Sequence, residues 1–333
     1  MTAKHTRQLG RSGIPVSALG LGCWAIGGPF SSTEGIPLGW SQVDDNESVR
    51  AIHKALDMGV TFFDTADIYG TGHSEEILSK ALDGQLNKVV IASKFGMVFD
   101  TGKKQWTGGL DGSPKYMRKA IEDSLLRLKR EYIDLYQLHV NDYSIKDATA
   151  TREELEKFVQ EGKIRSYGWS TDDPDRAKYF ADGPNCTAIQ HVLNIFSDNP
   201  LMLELCEEKN LASINRGPLA MGLLTGKFNE NSTFPANDVR SIMHLFEDKF
   251  NPYFKKGKFA PDFLKKFEAI REVLISGGRT LAQGAISWLW ARSEKTIPIP
   301  GFKTVKQVEE NAGAIQFGPL TNEQMIEIDK LKG

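Results

Sequence analysis

Hydrophobic and polar positions follow a repeating order along this chain, in which a short apolar run rich in β-branched residues precedes an amphipathic helical stretch. The eight apolar runs predict strands, namely SALGLG (17–22), VTFFDTA (60–66), VVIASK (89–94), IDLYQLH (133–139), IRSYGWS (164–170), TAIQHVLN (187–194), LASINR (211–216) and TIPIPG (296–301). Before the first of them, RQLGRSGIPVS (7–17) predicts a hairpin that turns at Ser12 and Gly13. Strands that alternate with helices build a parallel sheet.

The stretches between these strands carry the residues that begin helices, a side-chain oxygen followed by Pro or, three residues later, by Glu or Gln. The predicted starts are Asp44 with Glu47, Ser113 before Pro114, Thr151 with Glu154, Asp173 before Pro174, Asn199 before Pro200, and Thr304 with Gln307. In the third helix, one apolar stripe is formed by Met117, Ile121, Leu125 and Leu128. Gly59 and Gly162 stand where helices are predicted to end.

Eight strand and helix units favour a closed barrel over an open doubly wound sheet. The GxGxxG fingerprint of a dinucleotide-binding Rossmann unit is absent after the first strand, where GLGCWAIGG has glycines at other spacings. We therefore expect an α/β fold, a single (β/α)8 TIM barrel that occupies residues 1–333 as one domain. It should carry an N-terminal hairpin and, from about 222 to 278, an extended loop and helix insertion after the seventh strand, placed to cover a site.

Composition narrows the possible partners and the compartment. The chain has 41 basic and 43 acidic residues, a formal charge of -2, and no basic stripe that would bind nucleic acid. Its first residues, MTAKHTRQLG, lack the apolar core of a signal peptide, and we expect no membrane insertion. Three cysteines without CxxC spacing suggest neither a disulfide framework nor a zinc site, so a cytoplasmic protein with reduced thiols is expected.

Ionisable side chains stand at the ends of three adjacent predicted strands. Asp64 ends the second, Lys94 the third and His139 the fourth, while Tyr69 lies five residues beyond Asp64. The carboxyl ends of parallel strands meet on one face of a barrel, so these four groups should share a cavity. Taken singly, Asp64 could instead cap a helix and Lys94 could end a strand in solvent, but their joint occurrence favours chemistry.

Reduction of a carbonyl needs a hydride on carbon and a proton for the oxygen. Tyr69 could donate that proton, with Lys94 lowering the pKa of the phenol and Asp64 keeping the ammonium charged. His139 would then donate a hydrogen bond to the carbonyl oxygen and orient the substrate. This assembly needs neither a nucleophile nor a metal.

Several stretches of the chain resemble the aldo-keto reductase family, and in particular its bacterial NADPH-dependent members. They are FDTADIYGTGHSEEIL, VVIASKFG, YIDLYQLHV, GLLTGKF and IPIPGFKTVKQVEEN, within a likeness that runs from RQLGRSGIPVSALGLG almost to the C-terminus. The resemblance implies an oxidoreductase that reduces aldehydes or ketones with NADPH and no metal, through a tetrad at Tyr69, Lys94, Asp64 and His139. It also implies that Trp24, Tyr69 and His139 contact the substrate.

The same resemblance implies the residues that contact NADPH/NADP+. They are Gly22, Cys23, Trp24, Asp64, Ser170, Gln190, Arg216, Gly217, Pro218, Leu219, Gly222, Lys227, Gly301, Lys303, Thr304, Gln307, Glu310 and Asn311. The adenosine 2′-phosphate falls near Lys303, at the start of TVKQVEEN. Free N–H groups and the positive dipole end of that helix would favour a phosphate, which is why NADPH is expected over NADH.

Three positions depart from the family pattern. Thr171 and Gln307 stand where many members have Asn and Arg, which weakens one carboxamide contact and one phosphate contact. Arg216 stands where many members have an aromatic ring that stacks on nicotinamide. Its guanidinium plane could also stack, but its charge would repel the cationic oxidised ring.

Two other classes of function are weighed against this interpretation. Barrels of this type also serve as non-catalytic, NADPH-binding regulatory subunits of membrane channels, and such a subunit can keep the tetrad. A metal-dependent hydrolase would need Asp64, His139 and His191 as ligands, but no paired HxH is present. Strand alternation points His191 away from Gln190, so we expect it to be structural.

Overall fold

The computed structural model of the protein describes the backbone of residues 6–229, 231–246, 254–255, 258–259 and 261–332, and side chains outside 243–266. Its centre is a sheet of eight strands in which each strand runs parallel to its neighbours in chain order. The strands are β1 (Gly20–Gly22), β2 (Phe62–Asp64), β3 (Val90–Phe95), β4 (Ile133–Leu138), β5 (Ile164–Ser170), β6 (Cys186–Val192), β7 (Ala212–Arg216) and β8 (Thr296–Pro298). All eight predicted strands are present.

The sheet closes on itself between its first and last strands. Gly22 forms a parallel bridge with Gly301, and its backbone N–H donates to the carbonyl oxygen of Pro300 at 3.0 Å. A Cβ at Gly22 would lie 2.8 Å from the carbonyl oxygen of Ile299, so glycine permits this close approach. The predicted (β/α)8 barrel is therefore confirmed.

The N-terminal hairpin, with strands Thr6–Gln8 and Pro15–Ser17, covers one end of the barrel. It turns through Gly13, whose φ of 70° lies in the left-handed region. Arg11 donates to the carbonyl oxygens of Cys186 and Gly183, which fixes the turn beside the start of β6. The strands finish at the opposite end of the barrel.

Ten α-helices are described, and five of the six predicted helix starts are present among them. They are α1 (Asp45–Asp57), α2 (His73–Ala81), α3 (Pro114–Leu128), α4 (Ile145–Gln160), α5 (Pro174–Ala181), α6 (Pro200–Glu208), α7 (Pro261–Ile275), α8 (Leu281–Arg292), α9 (Val305–Gly313) and α10 (Asn322–Lys332). The side chains of Asp44, Asp173 and Thr304 accept backbone N–H groups as N-caps. The expected helix ends are also present, with Gly59 and Gly162 at positive φ.

The predicted start of the fourth helix, at Thr151, is wrong. The helix begins two turns earlier, where Ser144 Oγ accepts the backbone N–H of Asp147 at 3.1 Å and also donates to its carboxylate. Thr151 lies inside the helix and donates instead to the carbonyl oxygen of Gly112 at 2.8 Å. Ser144 and Asp147 form the capping pair at the N-terminus of α4, whereas the later predicted pair, Thr151 with Glu154, lies inside the helix.

The hydrophobic core forms two layers. Phe62, Val90, Leu135, Ile214 and Ile297 belong to the cluster that also contains hairpin side chains. A second and larger cluster packs the outer faces of the strands against the helices. Because the interior is filled with side chains, chemistry is confined to the rim where the strands end.

The insertion after β7 includes the predicted helix, now α7, and a loop that reaches the segment following β1. The backbone N–H of Val239 donates to the carbonyl oxygen of Gly39 at 2.8 Å, and Asp238 accepts the N–H of Ser41 at 3.4 Å. Positions 230, 247–253, 256–257 and 260 of the insertion lie outside the described residues. A role for this loop as a lid stays a prediction.

In the part of the chain that the structure covers, no helix is both long and apolar enough to cross a membrane. The three cysteines, Cys23, Cys186 and Cys206, are buried free thiols.

Candidate active site

Four polar side chains from neighbouring strands converge inside the rim of the barrel. Asp64 ends β2, Lys94 lies near the end of β3, and Gln137 and Gln190 occupy β4 and β6. In the register of the sheet, Lys94 is opposite Gln137. All four side chains are buried, so their polar atoms must be satisfied by one another.

Lys94 is the centre of this group. Its ammonium Nζ donates to Asp64 Oδ1 at 2.6 Å, to the carbonyl oxygen of Thr65 at 2.7 Å and to Tyr69 Oη at 3.1 Å. The lysine is fully buried, and its three donors match three acceptors. The structure therefore brings together three of the four predicted tetrad residues by direct hydrogen bonds.

A tight turn fixes the position of Tyr69. It begins a 3-10 segment, Tyr69–Gly72, in which Gly70 has a φ of 61°. A Cβ at Gly70 would lie 2.1 Å from the carbonyl oxygen of Gly27, in the loop after β1. Only glycine allows this contact, and the contact anchors the tyrosine between two loops of the rim.

The pKa shifts of Tyr69 and Lys94 differ from the expectation in one respect. Burial raises the pKa of Tyr69 above its ordinary value, and although Lys94 pulls it down, burial prevails. For Lys94, burial alone would lower the pKa, but the charges of Asp64 and Tyr69 raise it overall. Lys94 lowers the pKa of the phenol in the expected direction, but burial has the larger effect, so Tyr69 holds its proton at neutral pH beside a charged lysine.

His139, the fourth predicted residue, contacts the tyrosine ring rather than its hydroxyl. The two rings meet edge to face, with centroids 5.7 Å apart and an interplanar angle of 84°. Burial, with the charges of Lys94 and Arg216, holds the pKa of His139 well below its usual range, so the ring is neutral at pH 7. Its Nδ1 is buried and has no partner among the described residues, which leaves it able to bind a ligand.

Trp24, the predicted substrate contact, also packs against Tyr69. Their rings stack with centroids 6.0 Å apart and an interplanar angle of 24°. Met97 and Trp106 pack in the same cluster, and together these side chains give the mouth of the site an apolar wall. The structure thus gathers Trp24, Tyr69 and His139 at one place.

Gln137 is a site residue that the sequence reasoning missed. Its Nε2 donates to Asp64 Oδ2 at 3.2 Å, and Gln190 Nε2 donates to the same oxygen at 2.7 Å. The carboxylate is therefore held from one side by Lys94 and from the other by two amides. A signal was present, because Gln137 precedes His139 by two residues and strand alternation directs both to the same face.

The residues expected at the nicotinamide end lie beyond this group. Ser170 is buried at the end of β5, while Thr171 Oγ1 donates to the carbonyl oxygen of Asn141 at 2.9 Å. Arg216, at the end of β7, forms an ion pair with Asp172. That carboxylate, which no sequence signal indicated, offsets the guanidinium charge expected to repel an oxidised nicotinamide.

Where the 2′-phosphate is expected, more of the hydrogen-bond donors are already bound by other groups of the protein than the sequence suggested. Lys303 Nζ donates to the carbonyl oxygen of Ser41 at 3.0 Å. Gln307 Oε1 accepts the backbone N–H groups of Lys303 at 2.6 Å and Thr304 at 3.3 Å, and Glu47 Oε1 accepts that of Val305 at 2.9 Å. At this helix start, side chains of the protein therefore already accept the N–H groups of Thr304, Val305 and Gln307, so the expectation of free N–H groups does not hold for these three.

The remaining predicted cofactor residues lie along the rim. Gly22 and Gly301 form the barrel seam, and Asn311 Nδ2 donates to the carbonyl oxygen of Gly301 at 3.3 Å. Lys227 and Glu310 approach each other at 3.8 Å. Gly217, Pro218, Leu219 and Gly222 follow β7 in sequence, and Cys23 follows β1 with a buried thiol whose pKa is raised by burial.

These residues fit a dinucleotide. Trp24 Nε1, His139 Nδ1 and Arg216 Nε are buried polar atoms without a partner in the described part of the chain, and all belong to residues at the rim. Unpartnered buried groups are costly, and a polar ligand would satisfy them. Arg216 and Lys303 also supply hydrogen-bond donors, for a carboxamide oxygen and for a phosphate respectively.

The structure does not assemble the ligands considered for a metal-dependent hydrolase. Asp64 is bound to Lys94, whereas His191 hydrogen bonds with Ser213 Oγ at 2.8 Å. Among the residues described, no three His, Cys, Asp or Glu side chains form a group suited to a metal. Burial lowers the pKa of His191 to about 4, as befits a neutral histidine packed inside the protein.

Comparison with known proteins identifies the family to which the sequence is similar. Residues 18–332 match the sequence model of the aldo/keto reductase family. The chain is 30% identical over 321 residues to YqkF, an oxidoreductase of Bacillus subtilis (strain 168), which covers 96% of this chain and 94% of that protein. The glycerol dehydrogenase AKR11B4 of Gluconobacter oxydans has a similar structure, with a TM-score of 0.80 and 33% identity over 99% of this chain and 95% of that one. An aldo-keto reductase of Klebsiella pneumoniae, solved in complex with NADPH, gives a TM-score of 0.70 and 25% identity over 99% and 95% of the two chains.

Proposed function

This chain belongs to the aldo/keto reductase family, and we propose that it reduces aldehydes or ketones to alcohols with NADPH through the tetrad Asp64, Tyr69, Lys94 and His139. The protein is an NADPH-dependent oxidoreductase. The observation that carries the tetrad is the ammonium of Lys94, which lies 3.1 Å from the hydroxyl of Tyr69 and 2.6 Å from the carboxylate of Asp64.

NADPH, when bound, supplies a hydride to the carbonyl carbon. Tyr69 gives its hydroxyl proton to the carbonyl oxygen, which develops negative charge as the carbon is reduced. Lys94 donates a hydrogen bond to the phenolic oxygen and stabilises the phenolate that remains. Asp64 keeps Lys94 charged and fixed, and the proton returns to Tyr69 from solvent before the next turnover.

His139 and Trp24 would orient the substrate. A neutral imidazole can donate one hydrogen bond to the carbonyl oxygen without a charge that would compete with Lys94. Trp24 would pack against the apolar part of the substrate beside the Tyr69 ring. Hydrogen bonds from both Tyr69 and His139 would fix the carbonyl oxygen at one position. The carbonyl carbon would then face the hydride in the geometry that transfer requires.

The cofactor would lie along the rim, with its nicotinamide end near Ser170, Gln190 and Arg216. The adenosine 2′-phosphate would meet Lys303, with Thr304 and Asn311 nearby. Gln190 Nε2 already donates to Asp64 and to Gln137 Oε1, so its contact with a cofactor would involve the amide oxygen. We also propose that residues 1–333 form one domain and that the protein acts in the cytoplasm, where its three free thiols would stay reduced.

A turnover assay tests this function. The wild-type protein, dialysed against a chelator, is mixed with NADPH and a panel of aldehydes and ketones that includes glyceraldehyde and dihydroxyacetone, because one relative is a glycerol dehydrogenase. We expect a steady loss of reduced-nicotinamide absorbance with at least one carbonyl, and formation of the matching alcohol. No observation favours the channel subunit, but NADPH binding without turnover of any carbonyl would favour it over a reductase.

A further inference from the structure

A carboxylate from another helix lies on the start of α9. Glu47, in the first turn of α1, accepts the backbone N–H of Val305 through Oε1 at 2.9 Å. Its other oxygen, Oε2, accepts from Arg50 Nη2 at 2.6 Å. The side chain of Glu47 is one-quarter exposed and that of Arg50 is 59% exposed, so the pair lies at the surface.

Glu47 differs from the other acceptors at this helix start. Gln307 Oε1 and Thr304 Oγ1, which accept the neighbouring N–H groups, are neutral and form the capping box of α9 itself. Only Glu47, among the acceptors described there, brings a full negative charge. A carboxylate at a helix N-terminus is favourable by itself, but it occupies the position that an anionic ligand would otherwise take.

The nearest predicted phosphate ligand does not neutralise this carboxylate. Lys303 Nζ is bound to the carbonyl oxygen of Ser41, and the ion pairs of the described residues join Glu47 to Arg50 and not to Lys303. Hydrogen bonds from Val305 and Arg50 also hold the pKa of Glu47 below its ordinary value, so the carboxylate is ionised at neutral pH. A phosphate bound at this position would be repelled by the negative charge of Glu47, which the exposed Arg50 offsets only in part.

We propose that Glu47 is a specificity-determining residue that limits the preference of this enzyme for NADPH over NADH. It competes with the 2′-phosphate for the N–H of Val305 and repels the phosphate charge. The inference rests on the proposed function, which puts the 2′-phosphate beside Lys303. NADH, which lacks that phosphate, would not be affected by Glu47, so the two nucleotides should differ less in affinity than Lys303 alone would allow.

The test is an equilibrium titration of NADPH and NADH, followed by nucleotide fluorescence, with wild type and Glu47→Gln. Glutamine keeps the acceptor for Val305 and removes the charge. We expect NADPH affinity to rise by roughly fivefold while NADH affinity changes by less than about twofold, as for loss of one partly screened repulsion. The gain should shrink at high salt.

Glu309→Gln is the matched control. Glu309 lies on α9 beyond its first turn and pairs with Lys54 of α1 at 3.0 Å, so its substitution makes the same change in net charge away from the helix start. Its effect on both nucleotides should be small and equal. Arg50→Gln provides an opposite case, because it removes the cation that offsets Glu47 and should weaken NADPH more than NADH.

Competition by 2′,5′-ADP and by 5′-AMP separates the phosphate from the nicotinamide. Glu47→Gln should tighten 2′,5′-ADP and leave 5′-AMP unchanged. Two results would overturn the inference and leave the proposed reductase activity intact. One is an equal effect of Glu47→Gln on the affinities for NADPH and NADH. The other is weaker NADPH binding in Glu47→Gln together with unchanged NADPH binding in Arg50→Gln. Failure of the wild type to bind either nucleotide would overturn the proposed function first, and this inference with it.

Discussion

At the scale of single residues, opposing effects on one phenol decide how the site works. Burial favours the neutral form of Tyr69, while Lys94, 3.1 Å from its oxygen, favours the phenolate. The net result is a pKa above the ordinary value of 10.0, which suits a group that must carry a proton into carbonyl reduction. Lys94 then acts mainly by stabilising the phenolate that remains after Tyr69 has given its proton to the substrate.

This balance predicts the pH dependence of reduction. Because the folded pKa of Tyr69 is raised, the phenol stays protonated through the neutral range, and kcat for reduction should vary by less than about threefold between pH 6 and pH 9. It should fall only above about pH 10, where the phenol ionises. Alcohol oxidation, which needs the phenolate, should instead rise throughout this range. A reduction rate that halves near pH 7 would exclude Tyr69 as the group that donates the proton.

His191 predicts an effect on stability. Its pKa is about 4 in the folded protein, and unfolded histidine has a pKa of about 6.5, so the unfolded chain binds a proton first as pH falls. The free energy of unfolding should therefore drop by about 3 kcal/mol from this residue between pH 7 and pH 4. Urea unfolding of wild type and His191→Gln at several pH values measures it. The variant should lack that component, whereas His53→Gln, an exposed histidine, should keep it.

At the scale of elements, the structure depends on close backbone approach between strands. Gly168 of β5 faces Ala188 of β6, and a Cβ there would lie 2.4 Å from the carbonyl oxygen of Ala188. The register between the two strands also shifts at this residue. The pair can keep its separation only if residue 168 has no side chain.

Gly168→Ala should therefore destabilise the barrel. Pushing β5 from β6 should cost about 3 kcal/mol in the free energy of unfolding. Chemical denaturation with Gly102→Ala as control measures it, because a Cβ at Gly102 meets only Asp100 Oδ1 at an ordinary 3.4 Å. If the two variants had equal midpoints, close strand contact at Gly168 would not be a determinant of stability.

The helix starts show which boundaries of the elements can be predicted from local sequence. Asp44, Asp173 and Thr304 were predicted from a side-chain oxygen in the right place, and each is a cap in the structure. Thr151 was wrong because two capping pairs lie within one segment, and only packing decides between them. Its hydroxyl instead bonds to Gly112, a residue 39 positions away that no local pattern connects to it.

At the scale of the whole molecule, the barrel could be predicted because one alternation of strand and helix repeats eight times. The convergence of Asp64, Tyr69, Lys94 and His139 could be predicted because strand ends must meet at the rim, while their catalytic roles stay a prediction. What could not be predicted depends on contacts between distant loops, such as the pairs Arg216 with Asp172 and Glu47 with Val305. Those contacts form only when the barrel closes and brings separate strand ends, loops and helices side by side.

The central claim is that the hydroxyl of Tyr69 protonates the substrate carbonyl. The most direct measurement compares kcat and NADPH affinity for wild type, Tyr69→Phe and, as control, Tyr179→Phe, whose hydroxyl bonds with Thr149 on outer helices. We predict that Tyr69→Phe lowers kcat by about a thousandfold with NADPH affinity within about twofold, while the control is unchanged. A Tyr69→Phe variant that kept wild-type turnover, with NADPH still bound, would contradict the account.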